Sequence, residues 1–145
     1  SDWTVLAKVF QYELYKRVFT NEPVKQYINK TLNAVKAGKM DDELVYKKRL
    51  RKPLSSYVKS LPPHVKAARR ADKLFEEKGL PPRYQSNTSI AYVITVQGPQ
   101  TVETISAPLD YDHYIEKQIK PIADSILPMI SLSFERIANT QLSLF

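Results

Sequence analysis

Two sets of side chains in this 145-residue sequence have the types and spacing to do chemistry. Lys47, Arg49 and Arg51 alternate along one stretch, with Lys52 directly after them. Lys66, Arg69, Arg70 and Lys73 follow at i, i+3, i+4 and i+7, which on a helix is a single face. Between residues 44 and 73 stand ten cations against one acid, Asp72, so this stretch alone carries +9. The whole chain has 22 Lys and Arg against 15 Asp and Glu, a net +7, which leaves the remainder at −2. A merely solvating surface mixes its signs. An unmixed run of ammonium and guanidinium groups fits a polyanion, and its expected mode is to track phosphates without reading base edges.

The carboxylates are less specific. Asp110 and Asp112 stand two apart, with His113 and Glu116 nearby, a spacing used by metal-binding pairs in phosphoryl-transfer sites. They follow Pro108 into a helical pattern, however, where acids cap the helix and favour its positive dipole end, and this second reading is preferred. Asp41-Asp42 reads as a cap-like turn, and His64 follows Pro63 at a helix start. The chain has no cysteine, two histidines and three glycines. That excludes a disulfide scaffold, a thiolate zinc site, a cysteine nucleophile and a Gly-rich phosphate loop. No catalytic and no metal-ligating residue is expected.

The elements that must position the cations are readable in outline. Leu6, Phe10, Leu14 and Val18 predict a helix over 3–19 with Asp2 as its cap. Asn21-Glu22-Pro23 restarts a second helix, with Val24, Ile28, Leu32 and Val35 inward and Gly38 at its end. Residues 44–52 look extended, with Leu44, Tyr46 and Leu50 on one parity and Lys47, Arg49 and Arg51 on the other. A third helix spans 63–78, with Ala67, Ala68, Ala71, Leu74 and Phe75 opposite its cationic face. Residues 89–96 are β-branched and apolar on both faces, which predicts a central strand. Gly98-Pro99 reads as a turn before a weaker strand at 101–106. A fourth helix covers 110–127, with Pro121 set to kink or split it, and a short helix lies near 131–139. The fold class is α+β: mostly helical, with a small antiparallel sheet of about three short strands.

The chain closes on Gln141, Leu142, Ser143, Leu144 and Phe145, apolar where a free tail is normally polar. Such a tail either tucks into its own core or anchors in a groove on another protein. No apolar run approaches the roughly 20 residues needed to span a bilayer, so no membrane partner is expected. Nothing resembles an export leader, and a start at Ser1 without Met reads as a fragment of a longer protein.

Taken in order, these pieces resemble the C-terminal thumb of bacterial family B DNA polymerases. Asp2-Trp3-Thr4 with Leu6-Ala7-Lys8 and Gln11 is similar to the segment leaving the palm. Residues 46–54, then Tyr57, resemble the family's basic thumb entry, and Pro63-His64-Val65 with Ala67-Ala68-Arg69 its next helix. Ile90-Ala91-Tyr92-Val93 resembles an Ile-x-Tyr-Val strand; Pro108-Leu109-Asp110-Tyr111 with Tyr114-Ile115 and Gln118 resembles the closing helix. The last five residues resemble the pentapeptide that binds the bacterial sliding clamp.

The resemblance implies a thumb domain over 1–140, with a helix leaving the palm at 1–20, a DNA-contacting region at 44–78 and a clamp-binding peptide at 141–145. Lys47, Arg49, Arg51, Lys52, Lys66, Arg69, Arg70 and Lys73 would then face the phosphates of duplex primer–template. The partners would be that duplex, the sliding clamp and the rest of the polymerase chain, and the setting the bacterial cytoplasm and nucleoid. Catalytic aspartates and Mg²⁺ would belong to the palm of the full-length nucleotidyltransferase, so no cofactor is expected in this fragment. Two rivals remain: a free-standing basic nucleic-acid-binding module, and a metal nuclease built on Asp110, Asp112 and Glu116.

Overall fold

The structure, a computed structural model, describes residues 2–143, the last three by backbone only. The chain forms two compact units. One is Ser1–Asp2 with Val45–Asp110; the other is Trp3–Leu44 with Tyr111–Phe145. The division falls inside the single 1–140 domain expected from the sequence.

The first unit holds the sheet and one long helix. Strands β1 (Tyr46–Arg49), β2 (Ser89–Thr95) and β3 (Gly98–Thr101) form an antiparallel sheet in the order β1-β2-β3. β2 is central, as its two-sided apolar pattern predicts, and Ile90, Tyr92, Val93 and Thr95 are all buried. Tyr46 stands opposite Tyr92 and their rings stack with centroids 5.2 Å apart, which fixes the register of the edge strand. Helix α3 (Pro63–Glu77) packs against β3 and β2. Its Ala67, Ala68 and Ala71 are fully buried, and side chains this small let the helix approach closely. Pro62 precedes the helix in extended conformation, and Gly79 supplies the left-handed φ of 73° that ends it.

Two sequence expectations are corrected in this unit. The extended stretch 44–52 is a strand only over Tyr46–Arg49. One more backbone pair continues the ladder at Leu50, whose N–H donates to Thr88 and whose carbonyl accepts from Asn87. The third strand is Gly98–Thr101, not 101–106. The turn comes earlier, at Val96-Gln97. Its geometry is held by the Thr95 hydroxyl, which accepts from Gln97 N–H and donates to the Gly98 carbonyl. Pro99 therefore sits in an edge strand, where its missing N–H costs no ladder bond that a central strand would need.

The second unit is helical: α1 (Val5–Thr20), α2 (Val24–Lys36), α4 (Tyr111–Tyr114), a π-helical turn (Ile115–Ile119), α5 (Lys120–Ile126) and α6 (Phe134–Ser143). Its core gathers Leu6, Phe10 and Leu14 of α1, Ile28, Leu32 and Val35 of α2, and Tyr114, Ile119, Ile122 and Ile126 of the later helices. The N-cap of α1 is Thr4, not Asp2: the Thr4 hydroxyl accepts from Ala7 N–H, while Asp2 pairs with Lys48 at 3.4 Å within the first unit. Asn21 is the left-handed C-cap of α1 rather than the N-cap of α2. Pro121 splits the fourth helix as expected, by a specific device. The turn just before it widens to a π-helix, in which Lys120 N–H reaches Ile115, five residues back. A proline that can donate nothing thus follows a turn whose bonds are already rerouted. The final helix starts and ends later than expected, at Phe134 and Ser143. The side chains of Gln141, Leu142 and Ser143, and all of Leu144 and Phe145, lie outside the described residues.

Candidate nucleic-acid interface

Both cationic sets belong to the first unit. It carries twelve Lys and Arg against six Asp and Glu, +6 of the chain's +7, while the helical unit has ten against nine. β1 is an edge strand, so Lys47 and Arg49 project from a border of the sheet, both exposed. Lysine on an edge strand also blocks edge-to-edge pairing, a structural role compatible with binding. Lys48 shares the parity of Tyr46, pairs with Asp2, and lies close enough to His64 to act on it electrostatically. Arg51 and Lys52 follow the strand, both exposed, and the Lys52 ammonium lies 4.6 Å from the centroid of the Tyr57 ring. Such cation–π contact steadies an otherwise free lysine.

On α3 the four cations divide. Lys66, Arg70 and Lys73 are exposed. Arg70 also donates to the Gln97 backbone carbonyl at 2.9 Å, which links it to the β2–β3 turn. Arg69 is half-buried and turns inward. Its Nη2 donates to the carbonyl of Leu54 at 2.5 Å and to that of Tyr57. Helical periodicity alone could not have separated it from its neighbours, because the destination is a turn 12 and 15 residues upstream.

The one acid of the stretch has a different task. The Asp72 carboxylate accepts the backbone N–H groups of Arg83 and Tyr84 at 2.8 and 3.4 Å. Arg83 in turn pairs with Glu103, and its guanidinium lies 4.6 Å from the Phe75 ring centroid. The 80–88 loop is thereby tied down. Asp72 was visible in the sequence as a lone acid among cations; its partners were not. Among the described residues, Lys47, Arg49, Arg51, Lys66 and Lys73 are in no ion pair. Their positive field is therefore uncompensated by neighbouring acids, the condition in which phosphates displace counterions.

His64 is buried at the start of α3, edge-on to the Tyr57 ring, and its Nδ1 has no hydrogen-bond partner among the described residues. Burial, then the nearby charge of Lys48, lowers its pKa below the ordinary histidine value. Its place is that of a buried packing group and not of an exposed polar residue at a helix end.

The carboxylates of the rival nuclease reading do not assemble. Asp112 lies in the first turn of α4, and the Asp110 N–H just before it donates to Ile94. Among the described residues no group of three or more His, Asp or Glu is placed to hold a metal ion. No helix among those residues is long and apolar enough to cross a membrane.

No protein-family model matches the chain. It is 47% identical over all 145 residues to DNA polymerase II of Escherichia coli, of which it covers 18%. It is 28% identical over 148 aligned positions to DNA polymerase 2 of Aeropyrum pernix, covering 94% of this chain and 17% of that one. Its fold matches part of the family B DNA polymerase of Pyrobaculum calidifontis with a TM-score of 0.70 and 28% identity, over 91% of this chain and 18% of that one. The chain thus spans under a fifth of the length of the relatives it matches. The resemblance to family B DNA polymerases read from the sequence is borne out, and the relatives are DNA-directed DNA polymerases.

Proposed function

We propose that this chain is the thumb of a family B DNA polymerase, gripping the primer–template duplex through its phosphates. The observation that supports this most is the cationic stretch 44–73. Its ten cations lie within one compact unit, its single acid is engaged by backbone amides, and among the described residues eight of those cations are exposed and in no ion pair. Lys47, Arg49, Arg51 and Lys52 face one stretch of phosphates, and Lys66, Arg70 and Lys73 another. Phosphate contacts hold the duplex in register and carry no sequence information. The chemistry of nucleotide addition, with its metal ions, belongs to the rest of the polymerase; these residues position the duplex for it.

In this reading Gln141, Leu142, Ser143, Leu144 and Phe145 tether the enzyme to the sliding clamp. Tethering raises the effective concentration of the polymerase at the primer end, so even a weak peptide contact increases processivity.

The test uses the full-length protein that carries this chain. Replacing Lys47, Arg49, Lys66, Arg70 and Lys73 by alanine weakens duplex binding by the same factor for unrelated sequences. Unchanged affinity contradicts the grip. Deleting residues 141–145 abolishes capture on immobilised clamp with the melting temperature preserved; retained capture contradicts the tether.

A further inference from the structure

We propose that Arg69 is a positioning residue of the duplex-binding surface and not itself a phosphate ligand. The inference rests on the duplex-binding reading and assigns Arg69 a role distinct from that of Lys66, Arg70 and Lys73, with which it shares a helix face.

A guanidinium Nη2 carries two N–H groups. In Arg69 one is directed to the carbonyl of Leu54 and the other to that of Tyr57. The Leu54 carbonyl also accepts from Tyr57 N–H at 3.2 Å, and Ser56 N–H donates to Pro53 at 3.0 Å. Arg69 therefore locks a tight turn onto α3 from outside the turn. That turn begins directly after Arg51 and Lys52, and it carries the Tyr57 ring on which the Lys52 ammonium rests. Pro53 on one side and Pro62-Pro63 on the other restrict the backbone, and the Pro62 carbonyl accepts from Val65 and Lys66 N–H in the first turn of α3, downstream of the turn that Arg69 holds. Beside the edge-on contact of His64 with the Tyr57 ring, Arg69 supplies the side-chain hydrogen bonds that join the two cationic elements: held by them, Arg51 and Lys52 are presented in a fixed place relative to the α3 cations. Without it, both keep their charge and lose their position.

Fixed position matters because a charge that must be ordered on binding loses conformational entropy at that moment. Lysine is a poor substitute, since a single ammonium on a flexible stem lacks the planar fork that spans two carbonyls.

The experiment is a double-mutant cycle in the full-length protein, with duplex affinity measured across a salt series. Arg51→Ala with Lys52→Ala lowers the log–log salt slope by about 1.8, two phosphates at roughly 0.9 each. Arg69→Ala reproduces most of that loss of affinity. In the Arg69→Ala background, removing Arg51 and Lys52 costs less than half the fold-change it costs in the parent. Arg69→Lys, which keeps the charge, does not restore binding. Additive effects, or rescue by Arg69→Lys, overturn the proposal, because a direct phosphate ligand behaves that way. If the α3 cations prove essential while Arg51 and Lys52 have no effect, the positioning role fails and the grip stands. If none of the cations matters, the grip itself fails, and the inference with it. Should Arg69→Ala not fold, the Arg69→Lys comparison decides alone.

Discussion

The carboxylate of Asp72 accepts the backbone N–H of Arg83 at 2.8 Å, so the single acid of a strongly basic stretch anchors a loop instead of diluting the charge. Replacing Asp72 by alanine makes the unit more positive yet less stable. The expected cost is about 1 kcal/mol, as for a partly exposed hydrogen bond to a charged acceptor, read as a lower denaturation midpoint. The loop 80–88 becomes sensitive to limited proteolysis in the same variant. Equal stability and equal protection would show that the Arg83–Glu103 pair holds the loop unaided.

In the helical unit the Oε1 of Gln118 accepts both the backbone N–H and the hydroxyl of Thr4, each at 2.9 Å. The bonds are buried and join residues 114 apart in sequence. Gln118→Leu leaves the Thr4 amide without its acceptor and costs about 2 kcal/mol of stability. Thr4→Val in the Gln118→Leu background adds less than it does alone, since the two share the contact. Additive losses in an unfolding titration would separate them.

These two contacts show where the sequence was and was not legible. The body of α3 was readable because Pro63 and Gly79 bracket it and its alanines fall on one face. The central strand was readable because both its faces are apolar. The cap of α1 was not: Asp2 and Thr4 are both good capping types, and the choice is made by Gln118, a distant residue. Gly98-Pro99 has the composition of a turn, but the Thr95 hydroxyl fixes the turn one step earlier and leaves both residues in a strand. Pro121 announced an interruption without indicating that a π-helical turn would absorb it. Within the candidate site, spacing grouped Arg69 with three exposed cations, and only the position of two backbone carbonyls distinguishes it.

His64 gives a pH signature. Burial and then the charge of Lys48 lower its pKa from the ordinary value of 6.5. The unfolded chain therefore takes up a proton at higher pH than the folded one does. The contribution of His64 to stability is full above the unfolded value and is lost as pH falls through it toward the lowered folded value. His64→Gln shallows that acid-side decline in stability. Lys48→Ala raises the folded-state pKa followed by ring-proton NMR, but leaves it below the unfolded value because burial remains. An unmoved titration in Lys48→Ala would leave burial as the whole cause.

Tyr92 gives the matching signature at alkaline pH. Burial, with a smaller push from Asp2, raises its pKa from 10.0 to about 12. Its contribution is full below the unfolded value and is lost as pH rises through the folded one. The phenolate absorbance of Tyr92→Phe, subtracted from that of the parent, is expected to show a single late-titrating group. Titration of that group near the ordinary tyrosine value would contradict a closed Tyr46–Tyr92 stack.

The central claim is that exposed cations of the first unit meet DNA phosphates, and the salt dependence of duplex affinity tests it most directly. Lys66, Arg70 and Lys73 are replaced together by alanine in the full-length protein, and affinity for a fixed duplex is followed across salt concentrations. Removing three phosphate-binding side chains lowers the log–log slope by about 2.7. A slope identical to that of the parent, at any absolute affinity, contradicts the account.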